Sequence, residues 1–354
     1  MSSSLLSLDL KDLRLPSWLG GGGASRAGGL KPKYPPVAMD MGIGHIALAR
    51  LARDKQKKWT LTSHDQLEVP ADVTESDVFR IRIKSPERFR AMVAGALQKE
   101  GVKTDRISLV VPDHLARVAL LPFEELPRTR REVLELVRWK MKKAVPFKVE
   151  EAAVDYEVLP GEAGRGHTIL AVLMPLSIVE EQESVFVQLG IRPGLIDLST
   201  FSLLHLYREV ADAEVPAGGD FLLLNATGAF FTLMILRDGL PIFYRCKTFA
   251  FGGEEDAESA LRLIHRETQA SLLYYQERLS GGELARLYLR VVGHDPERVA
   301  RLFDGAPASH PPDLIDPRRV VAVTGRVLAS GEDRSLELMQ RLAPAVGAAL
   351  GRDF

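Results

Sequence analysis

One pattern occurs twice in this chain. Val37-Ala-Met-Asp-Met-Gly runs as an apolar strand into a glycine turn and leaves it as Ile46-Ala-Leu-Ala-Arg-Leu. Around residue 215 the pattern begins again. Asp220-Phe-Leu-Leu-Leu-Asn-Ala-Thr-Gly enters a second glycine turn, and Phe231-Thr-Leu-Met-Ile-Leu leaves it. Strand, glycine turn and strand make a hairpin, and two such openings predict two related halves. With 354 residues, and domains of about 150 residues each, a two-lobed protein follows.

The elements between the two openings alternate. Ser85 and Pro86 predict a helix start, with Ser as cap and Pro at the first helical position. Phe89, Met92, Val93, Ala96 and Leu97 mark its inner face. Ile107-Ser-Leu-Val-Val-Pro reads as a strand buried on both faces. Thr129 and Glu132 form a capping-box pair. The helix that follows buries Val133, Leu136, Val137 and Met141 and is expected to stop at Pro146. Val154 to Leu159 and Thr168 to Met174 read as paired strands around a Gly161–Gly166 turn. A helix over 177–189 ends at Gly190. Arg237-Asp-Gly predicts a tight hairpin returning as Leu240-Pro-Ile-Phe-Tyr-Arg, and a long helix covers about 255–279. The class is α/β.

Residues 1–36 read separately, as an arm. Leu5 to Leu19 give an apolar string, Gly20 to Gly23 remove backbone restraint, and Lys31-Pro-Lys-Tyr-Pro-Pro is stiff and unhelical. Disorder is the ordinary expectation for such a terminus. A docking strand built on alternating Leu6, Leu8 and Leu10 is the alternative. The start lacks the basic leader of a secretory signal. The formal net charge of -1 gives no overall field for nucleic acid. The single cysteine, Cys246, excludes an internal disulfide and fits a reducing compartment.

Two facing glycine turns suit a phosphate clamp, because turn N–H groups can point at phosphate oxygens. An Asp at each turn can hold Mg²⁺. Asp40, Gly42 and Gly44 form the first such turn. Asp and Gly also serve hairpins for backbone reasons alone. His45 reads as a partly exposed turn histidine. Trp139 reads either as core or as a partner anchor. Lys140, Lys142 and Lys143 read as a solvated face, with anionic lipid as the second choice. Cys246 reads as a small buried hydrophobe, and Tyr274 and Tyr275 as helix packing. No catalytic triad, metal cluster or P-loop stands out by spacing.

The stretches Pro122-Phe-Glu-Glu-Leu-Pro, Val137-Arg-Trp-Lys-Met-Lys-Lys-Ala-Val-Pro-Phe and Glu150-Glu-Ala-Ala-Val-Asp-Tyr resemble, in order and spacing, the PilM family of type IV pilus assembly. So do the Leu236-Arg-Asp-Gly-Leu-Pro-Ile-Phe hairpin, Ser271-Leu-Leu-Tyr-Tyr and Leu342-Ala-Pro-Ala-Val-Gly-Ala-Ala-Leu-Gly. The resemblance covers about 37–352. GspL-type secretion proteins and FtsA are similar more remotely. It implies an actin-like (ribonuclease H-like) two-lobed fold with a small inserted subdomain in the first lobe. The implied divisions are an arm at 1–36, a first lobe at 37–215 with its insertion at about 113–195, a second lobe at 216–335, and a C-terminal helix at 336–354 on the first lobe.

The resemblance also implies three nucleotide loops: Asp40, Gly42 and Gly44; Asn225, Thr227 and Gly228; and Gly293. Each departs from the family pattern. Ile43, His45 and Ala47 replace hydroxyl and basic residues, and Asn225-Ala-Thr replaces Asp-x-Gly. Val291 and Val292 stand where the family has glycines, and their side chains are expected in the nucleotide's space. The expectation is a scaffold with degenerate loops, no catalytic residues, no metal and no cofactor, or ATP/Mg held weakly. The partner implied is the cytoplasmic tail of a PilN-like bitopic inner-membrane protein, in a groove near Leu115, Val118, Leu120 and Trp139. Other pilus platform or motor proteins are further partners. The protein would be cytoplasmic, peripheral to the inner membrane. A nucleotide-switched actin-like ATPase and an FtsA-like self-associating filament protein are the alternatives.

Overall fold

The computed structural model describes residues 35–76, 80–160, 166–249, 257–324 and 332–351. The expected arm up to Tyr34 and most of the Gly161–Gly166 turn lie outside them. Along the chain run β1 (Val37–Asp40), β2 (His45–Arg53), β3 (Trp59–Glu68), β4 (Thr74–Ser76), β5 (Ile81–Ile83), α1 (Pro86–Lys99) and β6 (Arg106–Val111). Then come β7 (Arg117–Phe123), α2 (Arg130–Met141), β8 (Ala152–Leu159), β9 (His167–Pro175), α3 (Leu176–Gln188), β10 (Arg192–Leu198) and α4 (Ser199–Glu214). The second half holds β11 (Asp220–Ala226), β12 (Phe230–Arg237), β13 (Leu240–Thr248), α5 (Ala257–Arg278), β14 (Leu284–Val291), α6 (Pro296–Arg301), β15 (Asp313–Leu314), β16 (Ala322–Val323) and α7 (Glu332–Leu350).

The repeat in the sequence becomes a repeat in topology. One sheet has the order β10-β6-β1-β2-β3-β16, and the other β13-β12-β11-β14-β15. In each, an antiparallel meander of three strands is followed by two parallel strands beside its first strand. The second hairpin turns through Asp238 and Gly239, both at positive φ (49° and 72°), the signature of a tight two-residue turn.

A third, three-stranded sheet, β7-β9-β8, leaves the first lobe between β6 and β10. Both of its faces are buried. Ile169, Ala171 and Leu173 of β9 face Val133, Val137 and Met141 of α2. The alternate residues Leu170, Val172 and Met174 join the main core. That period-two split is what a central strand requires. The Thr129–Glu132 capping box is formed, and Glu132 N–H donates to Thr129 Oγ1 at 3.3 Å.

Several expectations need correction. Ser85 makes no side-chain cap bond, so Pro86 alone marks the start of α1. α2 ends at Met141, ahead of Pro146. A proline restricts only itself and the residue before it, and here tight turns from Trp139 and Met141 end the helix first. β3 escaped notice because its alternation is weak. α4 escaped because residues 199–207 are buried on every side, leaving no polar face to give a 3.6-residue period. Tyr274 is half exposed. Tyr275 is buried and donates to Asp220 Oδ2 at 2.7 Å. Cys246 is only half buried on β13.

α7 packs on β1, β2, β3 and β6 and crosses α4. The crossing is close because Gly347 lies against Ser202, where an added Cβ would stand 1.9 Å from a backbone oxygen. Gly95, on the exposed side of α1, has open space instead. Gly347→Ala is therefore expected to cost roughly 2 kcal/mol or more. Gly95→Ala is expected to add about 0.5–1 kcal/mol. Urea unfolding of the two variants checks both signs.

Candidate functional site

The two glycine turns face each other across a cavity of about 380 Å³. Asp40, Gly42, Gly44, Thr227, Gly228 and Gly293, all sequence candidates, line it. Asn225 does not. It is fully buried behind the wall, where Nδ2 donates to Ser199 Oγ at 2.8 Å and Thr200 Oγ1 at 3.1 Å.

The first turn is covered by its own histidine. The His45 ring lies against Gly42 so closely that a Cβ there would meet it at 2.0 Å. Its Nε2 lies 3.8 Å from Asp40 Oδ2. The bare backbone that a phosphate would approach is occupied by an imidazole, and His45 has a partner that its sequence context did not reveal. In the second turn Thr227 stays out of the left-handed region. Its hydroxyl donates to Phe230 O at 2.9 Å and accepts from Ala229 N and Phe230 N, so it closes its own turn. In the third loop Gly293 is at φ 84°, and a Cβ there would touch Gly228 N at 3.0 Å. The second and third loops thus rest on each other. Val292 lines the cavity as expected of it, whereas Val291 points into the core of the second lobe.

The residue that dominates the cavity is Arg290, which was not among the sequence candidates. It lies on β14, is 1% exposed and reaches the cavity wall. Three partners hold it. Nη1 donates to Asn225 Oδ1 at 2.8 Å, Nε donates to the Gln340 carbonyl at 2.8 Å, and Nη2 lies 3.8 Å from Asp40 Oδ2. The Gln340 carbonyl is free because Pro344, four residues on in α7, has no N–H to donate. A proline inside a helix thus creates the acceptor that an arginine from the other lobe takes. Gln340 also accepts from Val291 N through Oε1 at 2.7 Å. Burial lowers the Arg290 pKa, opposed by the charges of Asp40 and Asp113.

Behind Arg290 a polar row crosses the second sheet. Thr232, Asn225 and Arg290 are register partners on β12, β11 and β14. The row meets Asp113, in the buried 3₁₀ turn Asp113–Leu115 after β6. Asp113 accepts from Thr232 Oγ1 at 2.7 Å, Thr200 N at 3.0 Å, Asn225 Nδ2 at 3.4 Å and the Thr200 hydroxyl. Burial raises its pKa in spite of those donors. The signal for both residues was present: a charge inside an apolar strand, Leu289-Arg-Val, and an Asp after one, Val111-Pro-Asp.

The expected groove residues do not converge. Leu115 is buried in the first-lobe core, Val118 and Leu120 are half buried on β7, and Trp139 is 73% exposed on the outer face of α2. Of the four, only Val118 lines the second cavity, of about 460 Å³, which lies between the 114–118 segment and β13. No group of three or more His, Cys, Asp or Glu among the described residues is placed to hold a metal. No helix among them is long and apolar enough to cross a membrane.

Two measurements test the bonding. Arg290→Met is expected to lower stability by roughly 3 kcal/mol, because Asp40 is left buried with its charge unpaired. Adding Asp40→Asn should recover part of the loss in a double-mutant cycle read by urea unfolding. At Asp113 the folded state keeps a proton that the unfolded chain has released. Its contribution to stability therefore falls as pH rises from 3.8 toward the raised folded value. Asp113→Asn is expected to flatten that fall in Tm against pH.

No family model and no curated protein matches the sequence. Solved structures do. A chain of the "PilM-PilN type IV pilus biogenesis complex" is 17% identical, with a TM-score of 0.73 over 90% of this chain and 98% of that one. The cytoplasmic domain of EpsL, an inner membrane component of the type II secretion system of Vibrio cholerae, is 10% identical with a TM-score of 0.44, over 86% and 94%. A Bacteroides thetaiotaomicron protein with an actin-like ATPase fold gives 10% and 0.44, over 86% and 96%. Likeness at such identities carries the fold and nothing finer: this chain has the actin-like two-lobed α/β fold, in a form similar to the PilM-PilN chain.

Proposed function

We propose that this protein is a scaffold of a type IV pilus or related secretion assembly platform. It holds the cytoplasmic N-terminal tail of a PilN-like inner-membrane protein and lies on the cytoplasmic side of that membrane. The observation that carries this reading is the correspondence, over nearly the whole of both chains, with a chain solved in a PilM-PilN complex. The surface available for an extended tail is the free edge of β7. Pro122, which cannot donate to a ladder, sits on that strand, as prolines do on edges. An added segment would take backbone bonds from the edge and specificity from side-chain pockets. Val118 and Leu120 are the apolar groups beside it.

The interlobe cavity is, on this reading, a degenerate nucleotide site. Arg290 Nη2 and His45 Nε2 each lie 3.8 Å from Asp40 Oδ2, so a buried guanidinium already faces the carboxylate that would recruit Mg²⁺. A nucleotide would have to displace the His45 ring from Gly42. The second reading, a nucleotide-switched ATPase, draws on the convergence of three glycine-bearing loops on one cavity.

A synthetic peptide of the PilN-like tail from the same organism is expected to bind the full chain saturably in fluorescence anisotropy. Val118→Asp with Leu120→Asp is expected to weaken it about tenfold or more, as burying an unpaired charge would. No saturable binding would sink the scaffold reading. Calorimetry with Mg-ATP is expected to show no micromolar binding, and tight binding would favour the switched ATPase.

A further inference from the structure

Trp139 is the most exposed large apolar side chain among the described residues, at 73%. α2 buries Val133, Val137 and Met141 on one side, so Trp139 stands on the side away from its sheet. It is set in the run Arg138-Trp-Lys-Met-Lys-Lys, and Lys140, Lys142 and Lys143 are all exposed around it. Lys140 donates to Pro122 O at 2.8 Å and lies 4.3 Å over the Phe123 ring. Lys142 is 3.6 Å from Glu150, with both side chains mostly in water, so the pair is weak and screened. Lys143 has no ion pair among the described residues. The acids on the same helix are exposed too: Glu132 is bonded to the Thr129 cap, and Glu135 lies 3.6 Å from Arg138 in a pair as weak as that of Lys142.

We propose that this end of α2 docks on an anionic bilayer, with Trp139 at headgroup depth and Lys142 and Lys143, which follow the helix, over lipid phosphates. The proposal rests on the membrane-side placement above, but not on the tail-binding edge. Charge and composition favour a bilayer over a protein. A protein interface needs about 800 Å² per partner with a packed apolar centre, and it is depleted in lysine. Here a single aromatic stands on a convex helix with Lys142 and Lys143 just beyond its end. A lipid surface asks for that combination: an amphipathic ring at the interface and basic side chains above anionic headgroups.

The test is sedimentation of the full chain with vesicles of phosphatidylcholine alone, or of phosphatidylcholine with about one-third phosphatidylglycerol. Binding is expected only to the anionic vesicles, and it should fade in high salt, where charges are screened. Lys142→Gln with Lys143→Gln should weaken it by about tenfold or more, at about fivefold per lysine. Trp139→Ala should also weaken it. A blue shift of emission on vesicle addition should be present in the parent and absent in Trp139→Phe. All three positions are exposed, and unchanged Tm of the variants shows that they fold. Failure of the parent to bind anionic vesicles overturns the proposal, as does binding that both variants retain. Loss of tail-peptide binding in Trp139→Ala without any vesicle binding also overturns it and gives the face to a protein. Because the vesicle experiment contains no tail peptide, its failure leaves the edge-strand reading to its own test.

Discussion

A guanidinium buried between two lobes sets the terms for the rest of this structure. Arg290 leaves water almost completely, which costs several kcal/mol unless every group around it answers. The answers come from both halves of the chain: Asn225 from its own sheet, Gln340 from α7, and Asp40 from the first turn. Each answer needs a particular local structure. The register of β11 and β14 places Asn225 beside Arg290, and Pro344 frees the Gln340 carbonyl. The first strand ends at Asp40, so its carboxylate points across the cavity.

The same arrangement explains why the cavity between the lobes is sparing with open polar groups. An actin-like cleft has bare backbone at its turns when it takes a triphosphate. In this chain the His45 ring covers Gly42, Thr227 is bonded into its own hairpin, and the second and third loops lean on one another at Gly228 and Gly293. The lobes are then joined by internal bonds, Asp113 to Thr232 and Arg290 to Gln340, with no ligand required to bridge them. A scaffold gains from such a cleft, because its shape does not wait on a nucleotide.

On the proposed reading, function on this fold lies at its edges. Among the described residues β7 is an edge strand of the inserted sheet, and α2 turns Trp139 outward from its own core, with Lys142 and Lys143 just after it. The two surfaces belong to one small subdomain whose interior, Val133, Val137, Ile169 and Leu173, is ordinary apolar packing.

Much of this was legible in the residues. Local chemistry with a short range gave the repeat of strand, glycine turn and strand, the Thr129–Glu132 cap, the Asp238–Gly239 turn and the inner stripe of α2. Among the elements not legible there, two were hidden for opposite reasons: β3 alternates too weakly to be seen, and α4 is buried on so many sides that it has no polar face to betray its period. The identity of the loop residues around the cavity could also be read, since glycine, Asp and Asn mark turns in any fold.

What the sequence by itself determined was which segments are strands, turns and helices, because propensity, capping and periodicity act over a few residues. Only the tertiary structure decided that His45 covers Gly42, that Asn225 serves Arg290 and not the cavity, that Leu115 is core while Trp139 is surface, and that Arg290 spans to a carbonyl fifty residues away. Those outcomes depend on which distant groups meet in a place without water. There the energy of a charge is set by its partners in space and not by its neighbours in the chain.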